Sequence, residues 1–118
     1  MRPHQKLDLW RRAIEFVVSI YRATEGFPKE ERFGLTSQVR RAAVSIAANV
    51  AEGAARTSPK EFLQFLSVSQ GSAGEADTEL VIACRLGYLT KNEYEHFGQD
   101  LDDIGRMITR LSQSLRRR

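Results

Sequence analysis

Residues 35–56 read LTSQVRRAAVSIAANVAEGAAR, a stretch of helical composition in which alanine stands where leucine would ordinarily pack. At 100° per residue, Gln38, Arg41, Ser45, Asn49, Glu52 and Arg56 fall on one continuous polar stripe. Further along, Ser72, Glu75 and Glu79 recur at helical spacing, and the two glutamates offer acidic partners for Arg41 and Arg56 if the two helices lie side by side. The first chemistry such a set supports is structural. An ion-pair and hydrogen-bond network at that seam, or at a subunit boundary, fixes one register more than it adds stability. The second is a ligand or nucleic-acid site built on the same groups.

Cations make a second set. The formal net charge of +3 conceals an asymmetry: residues 1–60 carry +5, residues 61–105 carry −7 and residues 106–118 carry +5. Arg106, Arg110, Arg116, Arg117 and Arg118 form a basic C-terminal end, and Arg2, Lys6, Arg11 and Arg12 a basic N-terminal one. Gathered in space, these groups would supply the sequence-independent phosphate attraction that dominates nucleic-acid affinity. The plainer reading is solvated helix ends, with cations favoured at a helix C-terminus. No RNA-binding signature or base-stacking aromatic cluster accompanies them.

Catalytic chemistry finds little support. A helical bundle can hold two metals with paired Glu-x-x-His motifs, but the chain has one such match, Glu93 to His96. Glu93 is already accounted for as a capping residue, and His4, the other histidine, lies before the helices. No glycine-rich phosphate loop is present, since Gly71 and Gly74 fall inside a helical pattern, and Ser45, Ser69 and Ser72 have no histidine nearby in sequence. The expectation is a binding protein without catalytic residues, metal or cofactor.

The elements that must position these groups are helices. A chain of 118 residues with three prolines and eight glycines suits one all-α domain spanning residues 1–118. The single Cys84 excludes an intrachain disulfide, reads as a small buried hydrophobe and fits a reducing compartment. Nothing resembles a targeting or membrane segment, so the expected location is cytoplasmic. Leu7, Trp10, Ile14, Val17 and Tyr21 mark one seam of a helix over 6–23, and Leu9, Ala13, Phe16 and Ile20 mark a second beside it. TEGFPKEERFG is a connector whose charges are solvated, and a second helix covers 36–56. Ser58-Pro59-Lys60-Glu61 starts a third over 59–86, with Glu61 expected to complete a capping box. Gly87 stops it, and Thr90 to Glu93 is another capping box opening a fourth over 91–115. That last helix repeats Tyr94, Phe97, Leu101, Ile104, Ile108, Leu111 and Leu115. The short connections predict an antiparallel up-down four-helix bundle, with both termini at one end.

Helices 1 and 2 carry more apolar arc than a monomeric bundle requires. Val39, Ala43, Ile46, Val50 and Gly53 form the bundle-facing seam of helix 2, while Val44, Ala48, Ala51 and Ala55 make a second face of small side chains. With Leu9, Ala13, Phe16 and Ile20 of helix 1, these are the candidate oligomer interface, and the chain is expected to self-associate. The alternative is alanine as a neutral surface helix former.

The sequence LTSQVRRAAVSIAANVAEGAAR, followed by QGSAGE at 70–75 and preceded by LDLWRRAIEFVVSIY and FPKEERFGL, resembles the bacterial four-helix-bundle proteins encoded in intervening sequences of large-subunit (23S) ribosomal RNA. The likeness covers nearly the whole chain. Gln70 stands where the family often has a basic residue, and Ala47 and Ala48 where bulkier residues or proline are common. The resemblance implies an up-down bundle assembling into a ring-like homopentamer. It is also similar to the basic pentameric accessory proteins of diversity-generating retroelements, which bind nucleic acid and a reverse transcriptase. Two partners are thereby implied: structured RNA, or a protein recruited to the ring without direct nucleic-acid contact.

Overall fold

A computed structural model of the chain describes all of residues 1–118. It contains four helices and no strands: α1 Asp8–Thr24, α2 Leu35–Ala54, α3 Pro59–Arg85 and α4 Lys91–Arg116. Two short 3-10 turns, Pro3–Lys6 and Lys29–Glu31, precede α1 and α2. The first delays the start of α1 to Asp8, two residues later than the spacing suggests, because Pro3 sets a tighter turn that closes through Leu7 N–H to His4 O at 3.0 Å. No helix is long and apolar enough to cross a membrane.

The helix ends follow from local chemistry. The Thr90 hydroxyl accepts from Glu93 N–H at 3.0 Å while the Glu93 carboxylate accepts from Thr90 N–H at 2.9 Å, a complete capping box. At α3 only half of the box forms. The Ser58 hydroxyl accepts from Glu61 N–H at 3.3 Å, but the Glu61 side chain does not return. Gly87 ends α3 at φ +82°, the left-handed conformation that glycine adopts without strain. The connector before α2 is less solvated than its charges suggest. The Glu31 carboxylate accepts from Leu35 N–H at 3.1 Å and from the Tyr88 hydroxyl at 3.0 Å, tying α2 to the α3–α4 turn.

Each helix runs antiparallel to the next. Arg40 near the start of α2 donates to Thr24 Oγ1 at the end of α1, at 2.8 Å. The end of α2 meets the start of α3, where a Cβ on Gly53 would lie 2.6 Å from Phe62 Cδ1 and 2.9 Å from Phe65 Cβ. Only glycine permits that approach. The Tyr94 hydroxyl at the start of α4 donates to Asp77 near the end of α3, at 2.9 Å. Arg12 closes α1 on α4 through Asp100 at 2.8 Å and Asp103 at 3.1 Å. The result is a rod of 46 × 22 × 22 Å.

The core corrects the assignment of α1. Ala13, Phe16 and Ile20 are 0% exposed and Leu9 is 4% exposed, so none offers surface to a second subunit. Phe16 meets Phe97 of α4 edge-on at 6.2 Å between ring centroids. The seam that turns outward is the other one: Trp10, Ile14 and Val17 are half-buried and Tyr21 is 41% exposed. Both seams are apolar; the one containing Ala13 and Phe16 goes in because small and large side chains interdigitate with α2 and α4. In α2, Val39, Ala43, Ile46, Val50 and Gly53 are buried, while Val44, Ala48 and Ala55 are exposed and Ala51 is half-buried.

Candidate nucleic-acid interface

Arginines sort first by what already holds them. Arg12 is committed to Asp100 and Asp103; the hydrogen bond to Asp100 raises its pKa above the ordinary value, and Arg12 in turn holds Asp103 below the usual carboxylate range. It is a structural tie rather than a free phosphate contact. Arg11 pairs with Asp8 at 2.6 Å and donates to Gln5 O at 3.1 Å and Lys6 O at 3.2 Å, bracing the N-terminal turn. Arg106 is paired with Asp103. Arg2, Lys6, Arg110, Arg116, Arg117 and Arg118 are exposed and form none of the chain's ion pairs.

Antiparallel packing brings the two basic termini together. Arg110, on the last turns of α4, sits beside Leu7, Asp8 and Leu9 at the start of α1. On its other side it joins Arg106 and Arg116 along a groove of about 580 Å³ between the first half of α3 and the last half of α4. Leu63, Leu66 and Ile108 supply the apolar part of that groove, and Ser67, Gln70, Thr109 and Ser112 its polar part. Sequence reasoning missed these four polar residues. A signal was present in Gly98, Gly105 and Ser112, small residues at heptad spacing beside the leucine seam of α4, where they open the helix toward α3.

The polar stripe of α2 is divided. Ser45 and Ser72 hydroxyls lie 2.7 Å apart, and Asn49 Nδ2 donates to Ser45 O at 2.8 Å and to Ser45 Oγ at 3.0 Å. Ser69 Oγ donates to Ile46 O at 2.9 Å just below them. This is a part-buried hydrogen-bond cluster between α2 and α3. The expected ion pairs across the same seam do not form: neither Arg41 nor Arg56 reaches Glu75 or Glu79, and Arg56 instead stacks over the Phe65 ring at 4.9 Å. Gln38, Arg41, Glu52, Arg56 and Glu75 are exposed. Glu79 is 6% exposed, and its Oε1 has no hydrogen-bond partner. Burial, with the charge of Glu75 adding to it, pushes its pKa up to about 7.

An apolar depression of about 330 Å³ runs between the outward seam of α1 and α2, formed by Trp10, Ile14, Val17, Val44, Ala47 and Ala48. His4, held in the N-terminal turn, packs edge-on against Trp10 at 5.0 Å. The Glu93–His96 pair gathers no third ligand; Glu93 caps α4 and His96 leans toward Asp100 at 3.8 Å.

The model of the 23S rRNA-intervening sequence protein family matches residues 5–110. The chain belongs to that family. Its fold is similar to that of a crystal structure from Bacteroides thetaiotaomicron described as a protein of unknown function from the S23 ribosomal protein family. The two share a TM-score of 0.79 at 24% identity, over 88% of this chain and 97% of the other. No curated protein matches the chain. The family match takes in the α2 stripe and Arg110, whereas Arg116, Arg117 and Arg118 lie beyond it.

Proposed function

We propose that the protein is a non-enzymatic, homo-oligomeric accessory factor that binds structured RNA through the end of the bundle where its termini meet. The observation that carries this reading is the placement of Arg110 and Arg116, two cations without counter-ions, on one groove at that end. Lys6, Arg117 and Arg118 extend the same charge. Repeated around a ring of five, the number the family resemblance implies, each subunit would add its own share of phosphate attraction. Self-association is supported by the apolar depression of Trp10, Ile14, Val17, Val44, Ala47 and Ala48, which a second copy would cover. In a reducing cytoplasm the lone Cys84, half-buried against the core, stays a packing residue.

A second reading rests on that same apolar depression: a scaffold recruiting a protein such as a polymerase, with no direct nucleic-acid contact. The two differ in their response to salt, since counter-ion release makes phosphate binding steeply salt-dependent and an apolar contact is not. The test is binding of a labelled RNA hairpin at low salt by the intact protein and by protein truncated after Gln113. Binding that drops on truncation supports the first reading. No binding by the intact protein would overturn it and favour the scaffold.

A further inference from the structure

Phe33 projects from the connector between α1 and α2. It is 87% exposed, and apart from the terminal Met1 no large hydrophobic side chain is as exposed. The turn that carries it is braced. Glu31 O accepts from Gly34 N–H at 2.9 Å, closing a turn with Arg32 and Phe33 at its tip. The Glu31 carboxylate accepts from Leu35 N–H at 3.1 Å and from the Tyr88 hydroxyl at 3.0 Å, which fixes the turn to α2 and to the α3–α4 corner. The Arg32 guanidinium lies 5.2 Å from the centre of the Phe33 ring and shields one face of it. A side chain held outward in this way loses little freedom when it docks.

A socket for such a side chain lies elsewhere on the surface. The depression between α1 and α2 is lined by six hydrophobic residues, Trp10, Ile14, Val17, Val44, Ala47 and Ala48. Its lining is accessible: Val44 is 41% exposed, Ala48 is exposed, and Trp10, Ile14 and Val17 are half-buried. Val18 and Tyr21, each 41% exposed, continue the apolar surface of α1 toward the connector. The chain's own Phe33 does not reach the socket, because Ile14 lies ten residues, about 15 Å, before the end of α1 and the connector follows that end. Charges at the two places are complementary. Arg32, beside Phe33, has no carboxylate partner, and Glu52, exposed one turn beyond Ala48, has no cation.

We propose that Phe33 of one copy docks in the Trp10–Ala48 depression of a second copy of this chain, with Arg32 beside it paired to the partner's Glu52. The proposal rests on the self-association reading above and names the residue that the partner copy contributes to the depression. Knob and socket are different surfaces, so each copy docks on one neighbour and receives another, the head-to-tail contact from which rings are built. Aromatic and arginine side chains seated in well-packed pockets carry most of the energy of such contacts.

The test is the solution mass of the full-length protein and its variants, by light scattering and by sedimentation across a dilution series. Phe33→Asp removes the knob and Ala48→Glu blocks the socket; both positions are exposed, and circular dichroism checks that each variant folds. Each variant alone should be monomeric where the intact protein is assembled, with association weakened at least about tenfold. Mixed in equal amounts, the two should form a pair and nothing larger, because the mixture restores one knob and one socket. Arg32→Glu and Glu52→Arg should each weaken assembly severalfold, and the double variant should recover it. An intact assembly whose mass Phe33→Asp leaves unchanged, or variants that do not pair when mixed, overturns the docking assignment and leaves self-association through another surface standing. A double charge variant no better assembled than the two singles overturns the Arg32–Glu52 pairing. An intact protein that is monomeric throughout the series overturns both readings and leaves the depression to a protein of different sequence.

Discussion

Replacing Glu79 with glutamine should make the protein more stable at pH 8 and leave its stability nearly unchanged at pH 4. The carboxyl is 6% exposed, with one oxygen lacking any hydrogen bond, and its pKa stands at about 7 against an ordinary 4.5. Burial is the larger cause and the neighbouring Glu75 charge the second. Between those two values the folded chain binds more protons at this site than the unfolded chain does, so stability falls as pH rises from about 4.5 to 7. The shift of about 2.5 units, at about 1.4 kcal/mol per unit, sets a ceiling on the order of 3 kcal/mol on the cost of ionising Glu79 in place. Relaxation of the side chain toward solvent lowers that cost, and a gain of about 1–2 kcal/mol for Glu79→Gln at pH 8 is expected. Urea denaturation of both proteins at pH 4, 6 and 8 measures it. A Glu79→Gln protein less stable than the parent at pH 8, or with the same pH slope, would refute the reasoning.

Gly53→Ala should cost about 1–3 kcal/mol, because its Cβ would press into Phe62 and Phe65. Gly74→Ala, with nothing within 4 Å, should raise the melting temperature through helix propensity worth about 0.5–1 kcal/mol. Arg12→Ala leaves the nearly buried Asp100 carboxylate without its cation and should cost about 1–3 kcal/mol at neutral pH, measured by chemical denaturation. Ala48→Glu places a charge in the apolar depression beside Trp10 and Val44; helix content should hold while the solution mass from light scattering falls, and an unchanged mass removes that face from any interface.

Much of this architecture was legible because it is written in local chemistry. The Thr90–Glu93 box, Gly87 and the regular apolar repeat of α4 each depend on residues within one or two turns of each other. Where a choice depended on a neighbouring helix, the pattern ran out. The two apolar seams of α1 have similar composition, and only the fit of Phe16 against Phe97 decides that Leu9, Ala13, Phe16 and Ile20 turn inward. Opposite charges at suitable spacing suggested that Arg41 pairs with Glu75, yet two long exposed side chains gain little from pairing in water. The hydroxyl and amide groups of Ser45, Asn49 and Ser72, short enough to be held by the backbone, are the part of the motif that does connect α2 to α3. The α3–α4 groove was overlooked because its makers are absences of side chain, and Gly98 and Gly105 read in sequence only as weak helix formers.

The central claim is that cations at the shared end of the termini bind phosphate. Its most direct test is the salt dependence of hairpin RNA affinity for the intact protein and for a variant with Arg110→Ala and Arg116→Ala together. The account predicts a linear fall of log affinity with log salt, and a slope smaller by about 1–2 in the variant, since each lost phosphate contact removes roughly 0.7–0.9. A slope near zero, or one identical in the two proteins, would contradict the claim and assign these arginines to solvation alone.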